Sequence, residues 1–390
     1  MKLNFVSFQG VHSDFRSWGM VRIMEPISDE IKCLHRYYVS HSPKGYKKFY
    51  QVSQIHKILS RLTWSLGTRF KVNVGLLRYI QELSFDYNLS KKIQFPCILV
   101  STAYIPRTAR NNAEAGGFNI FIAGNPYDRW ISSILVNESI KNQIKINNAY
   151  TFEPRLKFID DFMLNQQEII SQSLVTHESL QGRFSNAKKT LINYELLPDQ
   201  HLFPDLLVKK REIFTFIYVA STVWLKGLTY LIEAWRSLGN IGARLIVVGP
   251  IYQDVLQVIM NQIPQSIEAI GFVPAQKLND LYRSCHVCIV PSLADDHPAT
   301  IAEAMHCGLP VIATRECGSQ VLINDGETGF VVPSADFVAL ANKIQWCAQH
   351  FDIVSEMGHK AKISIKKLDN KSQATNIARY IQKNVNQIIK

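Results

Sequence analysis

Three charged residues in the second half of the sequence lie at junctions between loops and helices, where side chains often bind ligands. Asp295 lies in a polar loop after an apolar run, and Glu303 lies eight residues later, in the second turn of the helix predicted next. A carboxylate in that turn can accept two hydrogen bonds from a ribose diol, and free amides at the helix start can bind phosphate or hydroxyl groups. Lys226 lies in another loop that leaves a strand and opens a helix, so its ammonium group can face a diphosphate.

The segments that must position these residues alternate regularly between residues 215 and 333. Short apolar runs are separated by stretches whose apolar residues recur with helical spacing. Apolar strands without polar alternation are typical of a parallel sheet covered on both faces. We therefore predict a Rossmann-like domain, in which ligands bind at the carboxyl ends of the strands. The predicted strands are 215–220, 244–249, 268–273, 287–291, 310–314 and 329–333, and the predicted helices are 227–238, 254–262, 275–284 and 299–307.

The N-terminal half repeats this pattern less regularly. The predicted strands are 3–8, 97–101, 118–123, 173–176 and 190–193, with a helix over 107–115. We therefore predict an α/β protein made of two Rossmann-like domains that face each other across a cleft. Their expected limits are 1–207 and 208–370, with a linker within 198–210. A terminal helix over 371–390 can pack back on the first domain.

Length and composition fit two packed domains and argue against several other classes. With 390 residues, of which 47% are hydrophobic and 19% charged, disorder and a coiled coil are not expected. The sequence has no apolar run near the roughly 18 residues that cross a bilayer. The short apolar stretch at the N-terminus predicts a strand rather than a signal peptide. Seven scattered cysteines do not predict a disulfide framework, which favours a cytoplasmic location.

The excess positive charge lies in the first quarter of the sequence. Residues 1–110 contain 17 Lys or Arg and 6 Asp or Glu, which accounts for the formal net charge of +11. This asymmetry predicts an anionic partner, such as a phospholipid surface, a phosphorylated substrate or nucleic acid. Nucleic acid is not expected, because neither a helix-turn-helix nor a basic-aromatic sheet motif accompanies the charge. Residues 49–66 have the apolar periodicity of a helix with lysines nearby, which fits core packing or a membrane-surface contact.

The segment from Asp295 to Val311 resembles a known family signature. It contains an acidic residue, seven intervening residues, a glutamate, an alanine, small residues with glycine, and then Pro-Val. In this respect the chain is similar to the family 4 retaining glycosyltransferases of GT-B fold. The pair Lys226-Gly227 and the stretch GETGFVVP at 326–333 also resemble that family. The resemblance covers residues 213–335, and elsewhere it concerns topology alone.

The resemblance implies a transferase that uses a nucleotide-diphosphate sugar as co-substrate, with no other cofactor and no metal ion. The donor would bind mainly to the C-terminal domain. A hexosyl unit would pass, with retention, to a glycan or lipid-linked acceptor on the N-terminal domain, in cell-surface polysaccharide synthesis. Lys226 and helix N-termini would stabilise the departing diphosphate, Asp295 would orient the hydroxyls of the donor sugar, and Glu303 would hold the ribose. The expected location is cytoplasmic, with peripheral binding at the inner face of the membrane.

Further residues complete the expected sites. Ser221 would add a hydrogen bond to the diphosphate, and the backbone around residues 271–273 would contact the base. Asn125, after a strand of the first domain, is the expected acceptor residue. The other expected donor-binding residues are Gly10, Gly271, Phe272, Val273, His297, Ala299 and Thr300.

Several residues depart from the family pattern. Ser221 replaces an arginine, Asp295 replaces a glutamate, and Pro298 removes one backbone donor. Residues 124–126, Gly-Asn-Pro, stand where many relatives have a histidine. These departures leave open an alternative, in which the chain is a non-catalytic GT-B domain that binds a glycan or a partner protein.

A metal site is a further candidate that the sequence does not favour. Cys285 and Cys288 have the spacing of a zinc-ligand pair, but they straddle a predicted buried strand and no second pair of this kind follows. We expect them to be buried apolar residues. The pair Asp295-Asp296 also lacks the spacing of a metal-binding DxD triplet.

Overall fold

The structure, a computed structural model, divides into two compact units. The first contains Met1–Asn137, Lys145–Tyr194 and Lys371–Lys390, and the second contains Glu138–Ile144 and Glu195–Asn370. Each unit is built on its own parallel β-sheet. The described residues are 1–7, 34–39, 49–51, 73–146, 148–195, 197–198, 203–221, 224–251, 253–259, 263–368 and 370–389.

The first unit contains a seven-stranded sheet in the order β3-β2-β1-β4-β5-β6-β7, with every described pair parallel. The strands are β1 (Lys2–Ser7), β2 (Leu34–Val39), β3 (Phe49–Gln51), β4 (Cys97–Ser101), β5 (Phe118–Ala123), β6 (Glu168–Ser171) and β7 (Lys188–Leu191). The helices of this part of the chain are α1 (Val74–Ser90), α2 (Pro106–Glu114), α3 (Asp128–Lys141), α4 (Glu153–Leu164) and α5 (Leu174–Ser179).

Helices α1 and α2 show how polar residues organise the first unit. Helix α2 begins with Pro106, at a position where the missing N–H costs no hydrogen bond. The next two amides, those of Arg107 and Thr108, donate to the carboxylate of Asp86 in α1 at 2.8 and 3.0 Å. Asp86 therefore caps α2 from a neighbouring helix. This contact turns a polar side of α1 toward the interior of the unit.

The second unit contains a six-stranded parallel sheet in the order β10-β9-β8-β11-β12-β13. The strands are β8 (Thr215–Val219), β9 (Arg244–Val248), β10 (Ile267–Gly271), β11 (Val287–Val290), β12 (Val311–Thr314) and β13 (Gly329–Val332). The helices are α6 (Leu228–Ser237), α7 (Gln253–Ile259), α8 (Ala275–Ser284), α9 (Ala299–His306), α10 (Phe337–Gln349) and α11 (Phe351–Lys366). All residues of β8, β11 and β12 are buried, as expected for strands covered on both faces.

The structure confirms the predicted α/β class with two parallel sheets. The predicted strands of the second unit agree with the observed ones to within two residues at each end. Residues 173–176, predicted as strand-like, are instead the start of α5, because the hydroxyl of Ser173 accepts a hydrogen bond from the amide of Thr176 at 3.2 Å and caps the helix. Residues 49–51, predicted as helical, form β3 by pairing with β2. The remainder of 49–66 lies outside the described residues.

The last helix of the chain, α12 (Asn370–Ile389), belongs to the first unit. Its apolar side is buried through Ile377, Ile381 and Val385, which recur at helical spacing. Its polar residues meet β6 and β7. The ammonium group of Lys188 donates to the hydroxyl of Tyr380 at 2.7 Å, and the side-chain amide of Asn384 donates to Glu168 at 2.8 Å. The chain therefore returns to the first sheet after completing the second.

Candidate functional site

The predicted donor-site residues of the second unit follow the carboxyl ends of its strands. Ser221 is exposed two residues after β8, Phe272 is exposed directly after β10, and Asp295 lies in the loop after β11. Because parallel strands end at the same edge of a sheet, these loops lie at one edge. The strand order places β8 between β9 and β11, so the loop that carries Lys226 is next to the loop that carries Asp295.

Lys226 and Asp295 form an ion pair. The ammonium group of Lys226 donates to a carboxylate oxygen of Asp295, and the two side chains are 28% and 12% exposed. Lys226 is the last residue of a 3-10 helix, Trp224–Lys226, whose Trp224 and Leu225 are buried. The hydroxyl of Tyr218, in β8, donates to the backbone carbonyl of Lys226 at 3.2 Å. The ammonium group is thus held on an anchored turn and remains accessible.

Gly227 allows the close approach of these two loops. It has a φ of +67°, and a Cβ atom there would lie 1.8 Å from the carbonyl oxygen of Pro291. A side chain therefore cannot be accommodated without moving backbone. The neighbouring amide of Leu293 donates to the carbonyl of Leu225 at 2.7 Å. The geometry explains why a glycine follows Lys226.

The backbone of Asp295 is fixed by hydrogen bonds to the loop after β12. Its amide donates to the carbonyl of Glu316 at 3.0 Å, and its carbonyl accepts from the amide of Gly318 at 2.9 Å. The carboxylate of Glu316 accepts from the amide of Ser334 at 3.0 Å, which holds this second loop in turn. Asp295 therefore presents its carboxylate from a rigid segment.

Glu303 is buried in α9, at its fifth residue. The hydroxyl of Tyr282, a buried residue of α8, donates to one of its carboxylate oxygens at 3.2 Å. The first residues of α9, Ala299 and Thr300, are partly exposed. First-turn amides have no acceptor within their own helix, so they can donate to an anionic group. Helix α9 thus supplies a carboxylate and N–H donors from one element.

The imidazole of His297 is buried, at 7% exposure, and therefore does not face solvent. It lies between two carboxylates, those of Asp296 and Glu195. Burial alone would lower its pKa, but the two carboxylates outweigh this and raise the pKa of His297 to about 10. The side chain is consequently charged at neutral pH.

The carboxyl ends of β9 and β10 approach β8 through two glycines. Gly249 has a φ of +115°, and a Cβ atom there would lie 1.9 Å from the carbonyl oxygen of Ala220. Its amide donates to the carbonyl of Gly271 at 2.7 Å. Val273, after the exposed Phe272, is partly buried against the core of the unit. An exposed aromatic ring beside tightly packed backbone is a suitable surface for a planar base.

The predicted acceptor residue lies in the first unit. Asn125 is exposed in the loop after β5, in the first unit. That loop is held by the amide of Tyr127, which donates to the hydroxyl of Ser179 at 2.9 Å. Gly10 lies outside the described residues. Cys285 and Cys288 are buried, and burial raises the pKa of the Cys285 thiol to about 11.

Sequence reasoning missed four residues that shape the site, namely Glu195, Tyr282, Asp296 and Glu316. Asp296 contacts its chain neighbour His297, but the contacts of the other three join segments far apart in the chain. Tyr282, for example, is 21 residues from Glu303. Gly249 was also missed, although the run VVGP at the end of an apolar strand was a usable signal.

The two parallel sheets and the similar solved structures show that the fold is GT-B. WaaG, a glycosyltransferase involved in lipopolysaccharide biosynthesis, is similar with a TM-score of 0.66 and 14% identity over 97% of this chain and 99% of that one. HepE from Anabaena, in complex with UDP, is similar with a TM-score of 0.62 and 15% identity over 98% and 100% of the two chains. At these identities the likeness shows the fold alone.

The similarity of this sequence to known proteins lies in the second unit. Residues 213–350 match the family described as glycosyl transferases group 1. The putative colanic acid biosynthesis glycosyltransferase WcaL of Salmonella typhimurium is 31% identical over 140 residues, which make up 33% of this chain and 34% of that protein. The alignment therefore spans about one third of this curated relative.

Proposed function

We propose that the protein is a glycosyltransferase that moves a hexosyl unit from a nucleotide-diphosphate sugar to a glycan or lipid-linked acceptor in cell-surface polysaccharide synthesis. The observation that carries the proposal is the pairing of Lys226 with Asp295, in a group 1 family domain whose helix α9 bears Glu303. The relatives named for colanic acid and lipopolysaccharide biosynthesis support the pathway class. The binding of UDP by HepE supports a nucleotide-linked donor.

The main chemical task is to stabilise the leaving group. Breaking the bond between sugar and diphosphate builds negative charge on the departing phosphate and positive charge on the anomeric carbon. Lys226 can bring its ammonium group to that phosphate, because it is accessible and paired with Asp295 by a contact that a diphosphate can replace. The first-turn amides of Ala299 and Thr300 add N–H donors. These groups supply positive charge from the chain itself, so we propose a reaction without a metal ion.

The other groups hold the donor in place. The carboxylate of Glu303 accepts hydrogen bonds from the ribose, and Asp295 orients hydroxyls of the donor sugar once Lys226 turns to the diphosphate. The base contacts the backbone of Gly271 and the exposed ring of Phe272. Ser221, exposed after β8, adds a hydrogen bond in place of a second cation. The acceptor binds to the first unit, where Asn125 is exposed.

We also propose that the first unit binds an anionic membrane surface at the cytoplasmic face, through the outer face of α1. This face carries Leu76, Leu83 and Tyr87, which are exposed apolar residues at helical spacing. The two carboxylates of the helix point inward, since Glu82 pairs with the buried Arg155 and Asp86 caps α2.

The charge around this face complements anionic lipid. The ammonium group of Lys91 lies 3.9 Å from the ring centroid of Tyr87, and the guanidinium of Arg107 lies 5.2 Å from it. Apolar side chains with flanking cations are typical of surfaces that lie on anionic membranes. We place the contact here rather than on residues 49–66. Among the described residues, no helix combines the length and hydropathy needed to span a bilayer.

The test is a panel of UDP- and GDP-sugars, with slow donor hydrolysis and thermal stabilisation as the measurements. We expect one donor to be hydrolysed, with activity unchanged by a chelator and lost in Lys226→Ala. Magnetic resonance of the transferred sugar then reports whether configuration is retained. Stabilisation by a nucleotide without hydrolysis or transfer would favour the non-catalytic alternative. Neither stabilisation nor hydrolysis with any donor would contradict the proposed function.

A further inference from the structure

We propose that His297 is a positioning residue, whose buried imidazole links Asp296 to Glu195 and thereby fixes the loop between Asp295 and α9. We call these three residues, Glu195, Asp296 and His297, the His297 clamp. The proposal rests on the proposed donor site, because that loop carries Asp295 at one end and the first-turn amides of α9 at the other.

The geometry of the clamp brings three ionisable side chains together inside the second unit. Nε2 of His297 lies 3.0 Å from a carboxylate oxygen of Asp296, and Nδ1 lies 3.7 Å from a carboxylate oxygen of Glu195. The side chains of His297, Asp296 and Glu195 are 7%, 1% and 8% exposed. Each ring nitrogen therefore lies within ion-pair distance of a carboxylate oxygen, and solvent contributes little to screening the pairs.

The charge balance explains why a histidine stands here. Two buried carboxylates that lie close together repel each other, and a cation between them offsets most of this repulsion energy. The groups acting on the imidazole are Asp296 from its own loop and Glu195 from the segment before β8. Asp295, the residue directly before Asp296, pairs instead with Lys226. The imidazole of His297 therefore pairs with the two carboxylates of the clamp and not with Asp295.

The position of the clamp in the chain gives it an effect on donor binding. Asp296 and His297 directly follow Asp295, and Pro298 is the cap residue of α9. Glu195 is the first residue after Tyr194, where the chain passes from the first unit into the second. Fixing His297 to Glu195 therefore anchors the donor loop to the segment that enters its domain. A binding group must be held to within about 0.5 Å of its productive position, so the anchor influences affinity without touching the donor.

The first experiment measures the clamp directly. In the wild-type chain with isotope-labelled histidine, and His297→Gln used for assignment, magnetic resonance should show the ring of His297 still protonated at pH 8. The exposed His359 serves as an internal control for the histidine signals. A titration of His297 near pH 6 to 7 would overturn the proposal, whatever the protein does with nucleotide sugars.

The second experiment uses a double-variant cycle of His297→Gln and Glu195→Gln, with His359→Gln as the matched control. The readout is affinity for UDP or GDP between pH 6 and 9. The wild type and the control should show the same pH profile. His297→Gln should bind more weakly than the wild type, because two like-charged carboxylates then remain close together with no cation between them.

The double variant should recover affinity, because it removes one carboxylate together with the cation. We expect a coupling of about 2–150-fold between the two positions. Additive losses, or a His297→Gln profile that follows the wild type, would overturn the positioning role. If His297→Gln does not fold, Glu195→Gln alone provides the pH profile. If the wild type binds neither nucleotide, the proposed function fails. The clamp is then tested by the magnetic-resonance titration of His297 and by the pH dependence of thermal unfolding.

Discussion

Replacing Lys226 with alanine is the perturbation that tests the proposed chemistry most directly. The change removes the ammonium group and leaves the carboxylate of Asp295 without its partner, at 12% exposure. The turn itself should persist, because the carbonyl of Lys226 still accepts from Tyr218 and Leu225 remains buried. A partly exposed ion pair contributes about 0.2–1 kcal/mol, so the free energy of unfolding should change little.

The effect on turnover should be much larger than the effect on stability. If the ammonium group stabilises charge that grows on the departing diphosphate, its loss resembles removal of one oxyanion donor, which costs about 100–1,000-fold in kcat. Donor affinity should fall less, by about 10-fold. A single charge-assisted hydrogen bond contributes roughly 1.5–3 kcal/mol, but in the wild type Lys226 must give up its pairing with Asp295 to form it, which reduces the net gain. The prediction is therefore a loss of turnover that exceeds the loss of affinity.

Steady-state turnover and calorimetric donor affinity should be measured for Lys226→Ala, for the charge-conserving Lys226→Arg, and for Lys226→Ala combined with Asp295→Asn. The combined variant separates loss of the cation from exposure of a lone carboxylate, which repels phosphate. We expect Lys226→Arg to retain more turnover than Lys226→Ala. Equal losses in turnover and affinity for Lys226→Ala would refute the reasoning and make Lys226 a binding residue only.

Three further predictions concern other parts of the molecule. Glu303→Ala should lower donor affinity about 10–150-fold in calorimetry by removing charge-assisted bonds to the ribose, and unchanged affinity would remove Glu303 from the site. Gly249→Ala should lower the free energy of unfolding by about 1 kcal/mol or more, because its Cβ would lie 1.9 Å from the carbonyl of Ala220 at a φ of +115°; an unshifted denaturation midpoint would contradict this. The wild type should sediment with anionic vesicles at low salt and not at high salt. The double variant Leu83→Ser, Lys91→Glu should no longer sediment at low salt, whereas the control Val338→Ser, at another exposed position, should sediment like the wild type.

The second unit could be predicted from the sequence because its signals are local. Apolar strands, helical periodicity and the Gly-Leu-Pro sequence after α9 each depend on neighbours within a few residues. The candidate residues Lys226, Asp295 and Glu303 were found in the same way, from their spacing relative to strand ends. In the first unit the signals conflict, and Ser173 caps a helix in a stretch whose composition favours a strand.

The sequence by itself therefore determined the α/β class, the parallel sheet of the second unit and the charged residues at its carboxyl edge. Only the tertiary structure decided which of these residues meet. Lys226 and Asp295 are 69 residues apart and pair because β8 and β11 are adjacent in the sheet. The burial of His297 between Asp296 and Glu195 likewise depends on where a distant segment enters the second unit. Strand order and loop packing are long-range properties, because each contact depends on the whole sheet rather than on the local chain.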